Sequence, residues 1–221
     1  VARVVQRTGL TSEVVETALA QLGDPRASAT AELTAALTTS PPAREVKPAS
    51  PEGRAAQLLS VVILDAGHAP AIRAALERYR RQPPSRTRSY VCFYLCRALG
   101  EGHDDGSADP LTSILLDDPT EASYGLHAPP NAFVYRATPP FHRATAAVAL
   151  GRIGSAGAAE TLMTVVEDFD NALSVRNAAA IALGEVGNAD CSPRLAALAA
   201  EYPEVITRRA LLEAHRRAQL R

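Results

Sequence analysis

One phrase returns along this chain at a fixed interval. Ala146-Ala-Val-Ala-Leu-Gly151 is followed by Ala179-Ala-Ile-Ala-Leu-Gly184. The two glycines define a period of about 33 residues, within the range of stacked-repeat architectures. A third copy, Leu95-Cys-Arg-Ala-Leu-Gly100, stands 51 residues before Gly151, one period plus 18 inserted residues. Weaker copies end at Gly67, one period before Gly100, and at Gly23. Self-similarity of this kind constrains the fold more than any other feature, because each unit is then one supersecondary element that buries its apolar face only against its neighbours.

The register extends beyond the phrase. Eleven residues after the three best glycines stand Leu111, Leu162 and Leu195, and three residues further Ile114, Val165 and Leu198. Each unit therefore predicts a helix of roughly twelve residues ending in Ala-x-Ala-Leu-Gly, a short turn, and a second helix with apolar residues three and four apart. The alanines admit close helix crossings, and the glycine suits a left-handed C-terminal cap. The expected fold is all-α, an α-solenoid of antiparallel helix pairs.

Val175-Arg-Asn-Ala-Ala-Ala-Ile-Ala-Leu-Gly-Glu-Val-Gly187 and His142-Arg-Ala-Thr-Ala-Ala-Val-Ala-Leu-Gly-Arg-Ile-Gly154 resemble the short HEAT-like repeats of the phycobilisome-lyase type. The resemblance covers residues 141 to 203 best and 53 to 118 less closely. The Thr-Pro-Leu-His signature of ankyrin and the Trp-Leu-Gly-Tyr pattern of tetratricopeptide repeats, whose periods are similar, are absent. Such repeats imply a platform for protein partners. For some relatives they imply a subunit of an enzyme that attaches or detaches a tetrapyrrole, an alternative carried here at the level of the repeat alone.

Composition sets the remaining bounds. The 221 residues are 47% hydrophobic, enough for a sizeable core, and the 23 basic and 24 acidic residues nearly cancel. That balance disfavours nucleic acid as a partner, so any basic site is local. Lys47 is the sole lysine, and the arginine and alanine content is compatible with a GC-rich bacterial genome. No apolar run is long enough for a membrane span. Cys92, Cys96 and Cys191 lack zinc-type spacing and read as buried thiols of a reducing cytoplasm. The start at Val1 rather than Met suggests a processed product or a fragment.

Residues 39–53 hold four prolines and read as a linker, which sets a helical segment, 1–38, apart from a solenoid over 54–221. Val5 to Leu22 also has a loose helix-turn-helix look, equally explained by a first helix pair of the array. The 18-residue excess falls in the insertion at 119–140, where Pro119, Pro129, Pro130, Pro139 and Pro140 exclude a continuous helix. Long insertions in solenoids map to loops on one face, often the binding face. Tyr124, His127, Phe133, Tyr135, Arg136, Phe141 and His142, in or beside the insertion, are the candidate partner-binding residues, since aromatic and arginine side chains dominate interface energetics.

Arg143, Arg176 and Arg209 recur at the same period and predict a structural ladder, each guanidinium pairing with an acidic or carbonyl group of the adjoining unit. Arg78, Arg80, Arg81, Arg86 and Arg88 form a local basic cluster that reads as a solvated inter-helix loop, with phosphate attraction, and so nucleic-acid binding through this cluster or the N-terminal helices, as the functional alternative. His103-Asp104-Asp105 with His127 or His142 could meet at a metal only by an unindicated fold, and no helical His-x-x-x-His or His-Glu pair exists. The residues form no catalytic constellation and call for no cofactor or metal. The sequence thus predicts a module that binds a partner protein, or another domain of its parent chain, through the solenoid face and the insertion.

Overall fold

The computed structural model describes residues 12–23, 51–60, 68–83, 85–116, 141–187 and 189–220. Those residues are helical and turn, without a strand, and they divide into two compact units, 1–104 and 105–221. The cut falls between the two helices of the repeat whose phrase ends at Gly100, within the span predicted as one array and downstream of the proline-rich segment. It does so because a second helix packs best against the first helix of the following pair, as the second unit shows throughout.

In the first unit, α1 (Ser12–Gly23) packs on α2 (Pro51–Leu59) and α3 (Ala69–Arg80), and α4 (Arg86–Glu101) packs on both α2 and α3. Its core gathers Leu22, Leu58, Leu59, Ile72, Leu76, Val91 and Leu95, all fully buried. Helix α2 begins at Pro51, inside the segment expected to be linker to residue 53, because proline's missing N–H is not needed in the first turn. Of the helix-turn-helix-like stretch only α1 falls among the described residues. Ser85 caps α4, its hydroxyl accepting from the Arg88 amide at 3.1 Å.

The second unit holds α5 (Ala108–Leu115), α6 (Phe141–Ile153), α7 (Ala159–Glu167), α8 (Leu173–Val186), α9 (Ser192–Glu201) and α10 (Val205–Ala218). Helix α6 lies on α8 and α8 on α10, forming a layer of first helices. The second helices α5, α7 and α9 each lie against the next first helix, α6, α8 and α10. A 3₁₀ turn precedes every second helix, at Asp105–Ser107, Ala156–Ala158 and Ala189–Cys191, keeping the same intervals as the three glycines.

The recurring glycine plays a different part from the expected cap. Gly100, Gly151 and Gly184 all sit inside helices, which continue beyond them. A Cβ on Gly151 would stand 3.0 Å from both Cα and Cβ of Ala182, so α6 and α8 approach until backbone meets backbone. Left-handed backbone appears three residues later instead, at Gly154 (φ 78°) and at His103 (φ 48°), one of the side chains that tolerate that region best. At Gly187 the backbone is extended, and a Cβ would meet the Leu183 carbonyl at 2.6 Å.

Burial gives the true register of the layer. His142, Ala146, Ala149 and Leu150 in α6 are buried, as are Val175, Ala179, Ala182 and Leu183 in α8, one period on. In α10 the buried set is Thr207, Leu211, Ala214 and Ala218, which follows Val175, Ala179, Ala182 and Val186 at one residue less than the period. The segment leading into α10 is shorter by that one residue than the glycine spacing implied. A buried alanine methyl contributes only about 0.8 kcal/mol by area, so the layer depends on the dispersion contacts that close approach permits.

Candidate interaction surface

The ladder of the second unit is a continuous polar network. Arg143, buried in the first turn of α6, donates from Nε to the Leu115 carbonyl at 2.8 Å and from Nη2 to Asn171 Oδ1 at 2.6 Å. The Asn171 amide nitrogen donates to Asp168 Oδ2 at 2.9 Å, fixing which end of the amide faces the arginine. The Asn171 backbone carbonyl in turn accepts from Arg176 Nε at 3.1 Å. One loop residue therefore serves two arginines in successive repeats.

Arg176 forms the fullest rung. Its Nη2 and Nη1 grip Glu204 Oε1 and Oε2 at 2.8 and 3.2 Å, a bidentate fork, and Nη1 also donates to the Tyr202 hydroxyl at 2.8 Å. The Tyr202 hydroxyl donates onward to the Val166 carbonyl at 2.8 Å. Phe169 and Tyr202 stack with centroids 5.3 Å apart, and the guanidinium carbon lies 4.8 Å from the Phe169 centroid and 5.6 Å from that of Tyr202. Burial works against the Arg176 charge, but the bonds to Glu204 and Tyr202 outweigh it and hold the guanidinium pKa above its ordinary value. The Arg176 hydrogen bond pulls the Glu204 carboxyl below the usual carboxylate range. Burial raises the Tyr202 phenol, against the lowering effect of Arg176.

The third rung shifts by one residue. Arg209 is exposed, while Arg208 donates from Nε to the Tyr202 carbonyl at 2.8 Å and from Nη2 to the Pro203 carbonyl at 3.3 Å. The shortened register places Arg208 where Arg176 stands in α8. Asn171, Tyr202, Phe169 and Glu204, none of them singled out from sequence, carry the ladder as much as the arginines do. Their signal was present: Asp168-Phe-Asp-Asn171 and Glu201-Tyr-Pro-Glu204 repeat an acid, an aromatic and an acceptor one period apart.

Of the candidate partner-binding residues, Tyr124, His127, Phe133, Tyr135 and Arg136 lie outside the described residues, as do the contacts of the Phe141 side chain. His142 is buried in the first turn of α6, at the core position Val175 holds one repeat later. In the basic cluster, Arg88 is buried with Nε on the Arg80 carbonyl at 3.1 Å, Arg78 donates to the Leu22 carbonyl, and Arg80 and Arg81 lie 3.6 and 3.5 Å from Glu77. These side chains bind their own unit more than they present a patch. Asp104 is held by Arg73, and among the described residues no three potential metal ligands come together. Cys92 and Cys96 are buried and Cys191 is half-buried, and none of the three forms a disulfide. No helix among the described residues is long and apolar enough to cross a membrane.

Across the second helices, exposed Arg194 bridges Glu167 through two bonds, at 2.6 and 2.5 Å, and Glu160 at 2.7 Å. Such exposed pairs contribute only about 0–1 kcal/mol, so this clip sets the register of α9 on α7 more than it stabilises. Helix pairs stacked in a row, bolted by a side chain ladder at each crossing, define an α-solenoid. Residues 134–216 match the family of HEAT repeats, and the second unit's stacked pairs are the structural form of that match. No curated protein matches the chain.

Proposed function

We propose that this chain is a protein-interaction or scaffold module, which binds a partner protein or another domain of its parent chain through the solenoid face and the insertion at 119–140. The observation that carries the reading is the division of side chains in the second unit. Alanine and glycine fill the crossings of the first-helix layer, while Ile181, Val205, Ile206 and Leu212 remain exposed on α8 and α10. Large apolar side chains left in water beside a core built of small ones mark a surface whose burial awaits a partner. The HEAT-repeat match supports the same role, since stacked repeats present extended binding faces.

The insertion adds Tyr124, Phe133, Tyr135 and Arg136 in one short stretch, the residue types that anchor interfaces. The test is affinity capture from the source cell, followed by the same capture with residues 120–140 deleted. Loss of the partner with helicity retained supports the insertion as an anchor. Unchanged capture moves the binding to the solenoid face alone, and no reproducible partner for either form overturns the reading.

A further inference from the structure

Phe169 and Tyr202 hold equivalent positions in successive loops and lie differently in them. Tyr202 is 1% exposed, its hydroxyl anchored on the Val166 carbonyl, whereas Phe169 is 53% exposed. Phenylalanine has no hydroxyl to draw it inward, so its ring rests on Tyr202 and stays half in water. This is an interior position of the array: the α7–α8 loop is followed by α9 and α10, and α8 lies between α6 and α10. Leu173, which opens α8, is 46% exposed, and Ile181, eight residues on, is 51% exposed, so apolar surface continues along the same side of that helix.

The ring stands among carboxylates. Asp168 and Asp170 flank it in the loop, and Glu201 precedes the tyrosine on which it stacks. Asp168 accepts from the Asp170 backbone amide at 3.0 Å and from the Asn171 side-chain amide at 2.9 Å, both neutral donors. Arg176 is taken by Glu204, and Arg194 by Glu167 and Glu160. Among the described residues, Asp168, Asp170 and Glu201 therefore pair with no arginine or lysine. Arg208, bonded to the Tyr202 and Pro203 carbonyls, offsets part of this charge. What remains is an exposed aromatic ring rimmed by carboxylates, and both attract a cation.

We propose that Phe169, Leu173 and the carboxylates of Asp168, Asp170 and Glu201 form a docking site for a basic segment of a partner protein, an arginine or lysine flanked by aliphatic residues. The cation lies against the Phe169 ring within reach of the carboxylates, and the aliphatic side chains cover Leu173 and extend towards Ile181. Charge complementarity selects this occupant. The basic helix of a second copy does not supply it, since Arg216 and Arg217 of α10 are already held by Glu213 and Glu185. The proposal rests on the interaction-module reading and narrows it to one edge of the second unit and one partner chemistry.

The probe is a labelled peptide, Ala-Leu-Arg-Leu-Ala-Arg-Leu-Ala, titrated into the full chain with anisotropy as readout, beside a version with glutamine for both arginines. Saturable binding of the arginine peptide is expected, weakened at least about tenfold by Asp170→Arg, by Phe169→Ala and by the glutamine version. Asp170 is exposed and its carboxylate makes no bond among the described residues, so Asp170→Arg reports on docking even if Phe169→Ala loosens the Arg176 rung. Asp190, an exposed acid beyond the other end of α8, is the control, and Asp190→Asn should leave binding unchanged. No binding overturns the proposal, as does binding that falls equally with Asp190→Asn, which is diffuse attraction. Binding that emerges only when residues 120–140 are deleted gives the site to the chain's own insertion, and self-association lost with Asp170→Arg gives it to a second copy; either overturns it. Partner capture is measured separately, so failure at this site and failure of the broader reading are distinguishable.

Discussion

The two crossings of the first-helix layer achieve one geometry by different means. Between α6 and α8, Gly151 brings backbone against Ala182 at 3.0 Å, and the Arg143 rung ends on the neutral amide of Asn171. Between α8 and α10, the nearest atoms to a Cβ on Gly184 lie at 3.6 and 3.7 Å, on Arg217 and Ala214, and the Arg176 rung ends on a carboxylate, a phenol and two rings. Where backbones touch, close packing and a neutral rung define the crossing. Where they stand further apart, a charged and aromatic network does so.

That contrast breaks most clearly at Arg176. Arg176→Ala strips a buried fork from Glu204 and leaves the Tyr202 hydroxyl and the Asn171 carbonyl without their donor, for an expected loss on the order of 3 kcal/mol. Denaturant unfolding measures it, and a loss below about 1 kcal/mol would show that packing holds the second crossing too.

The glycines come next. Alanine gains about 1 kcal/mol of helix propensity over glycine at either site. At Gly184 the added methyl meets only ordinary contacts, so Gly184→Ala should raise the melting temperature. At Gly151 it must push Ala182 aside, and overpacking of about 1–3 kcal/mol should make Gly151→Ala lower it. Shifts of the same sign would erase the distinction between the crossings.

Acid should weaken the α8/α10 side selectively. Arg216, with Arg217, draws the Glu213 carboxyl from an ordinary 4.5 down to about 2, and Arg176 draws Glu204 down as well. A carboxylate whose pKa is lower in the folded chain stabilises it fully above the unfolded value and ceases to do so as pH falls through the folded one. Melting temperature should therefore decline from about pH 4.5 towards pH 2, and less steeply in Glu213→Gln and Glu204→Gln, as thermal circular dichroism would record. The smallest effect belongs to Arg209→Ala, within about 0.5 kcal/mol, whereas Arg208→Ala removes a bond to the Tyr202 carbonyl for about 1 kcal/mol.

The fold was legible because its cause is periodic. Leu111, Leu162 and Leu195 occupy equivalent buried places, and the 3₁₀ turns before α5, α7 and α9 keep the same intervals. The glycine was visible but its role was not, since a close crossing and a helix end both favour a residue without a side chain. The rungs at Arg143 and Arg176 could be placed from sequence. The third could not, because a one-residue shortening before α10 puts Arg208 under the period that the glycines assign to Arg209. Their acceptors were harder still, lying in loops whose identity varies between Asn171 and Glu204 while their geometry does not.

Tyr202 also has a kinetic meaning. Arrays of nearest-neighbour repeats open locally, pair by pair, where little besides packing joins one pair to the next. Here the segment entering α10 is latched by the Tyr202 phenol to a carbonyl at the end of α7 and to a guanidinium on α8, two helices back. Parting α9 and α10 from α7 and α8 must release that latch together with the apolar contacts, so these two pairs open as one. Amide exchange from Arg208 onward in α10, where the Arg208 amide donates to the Glu204 carbonyl, should then be nearly as slow as in α8, and in Tyr202→Phe the two should separate.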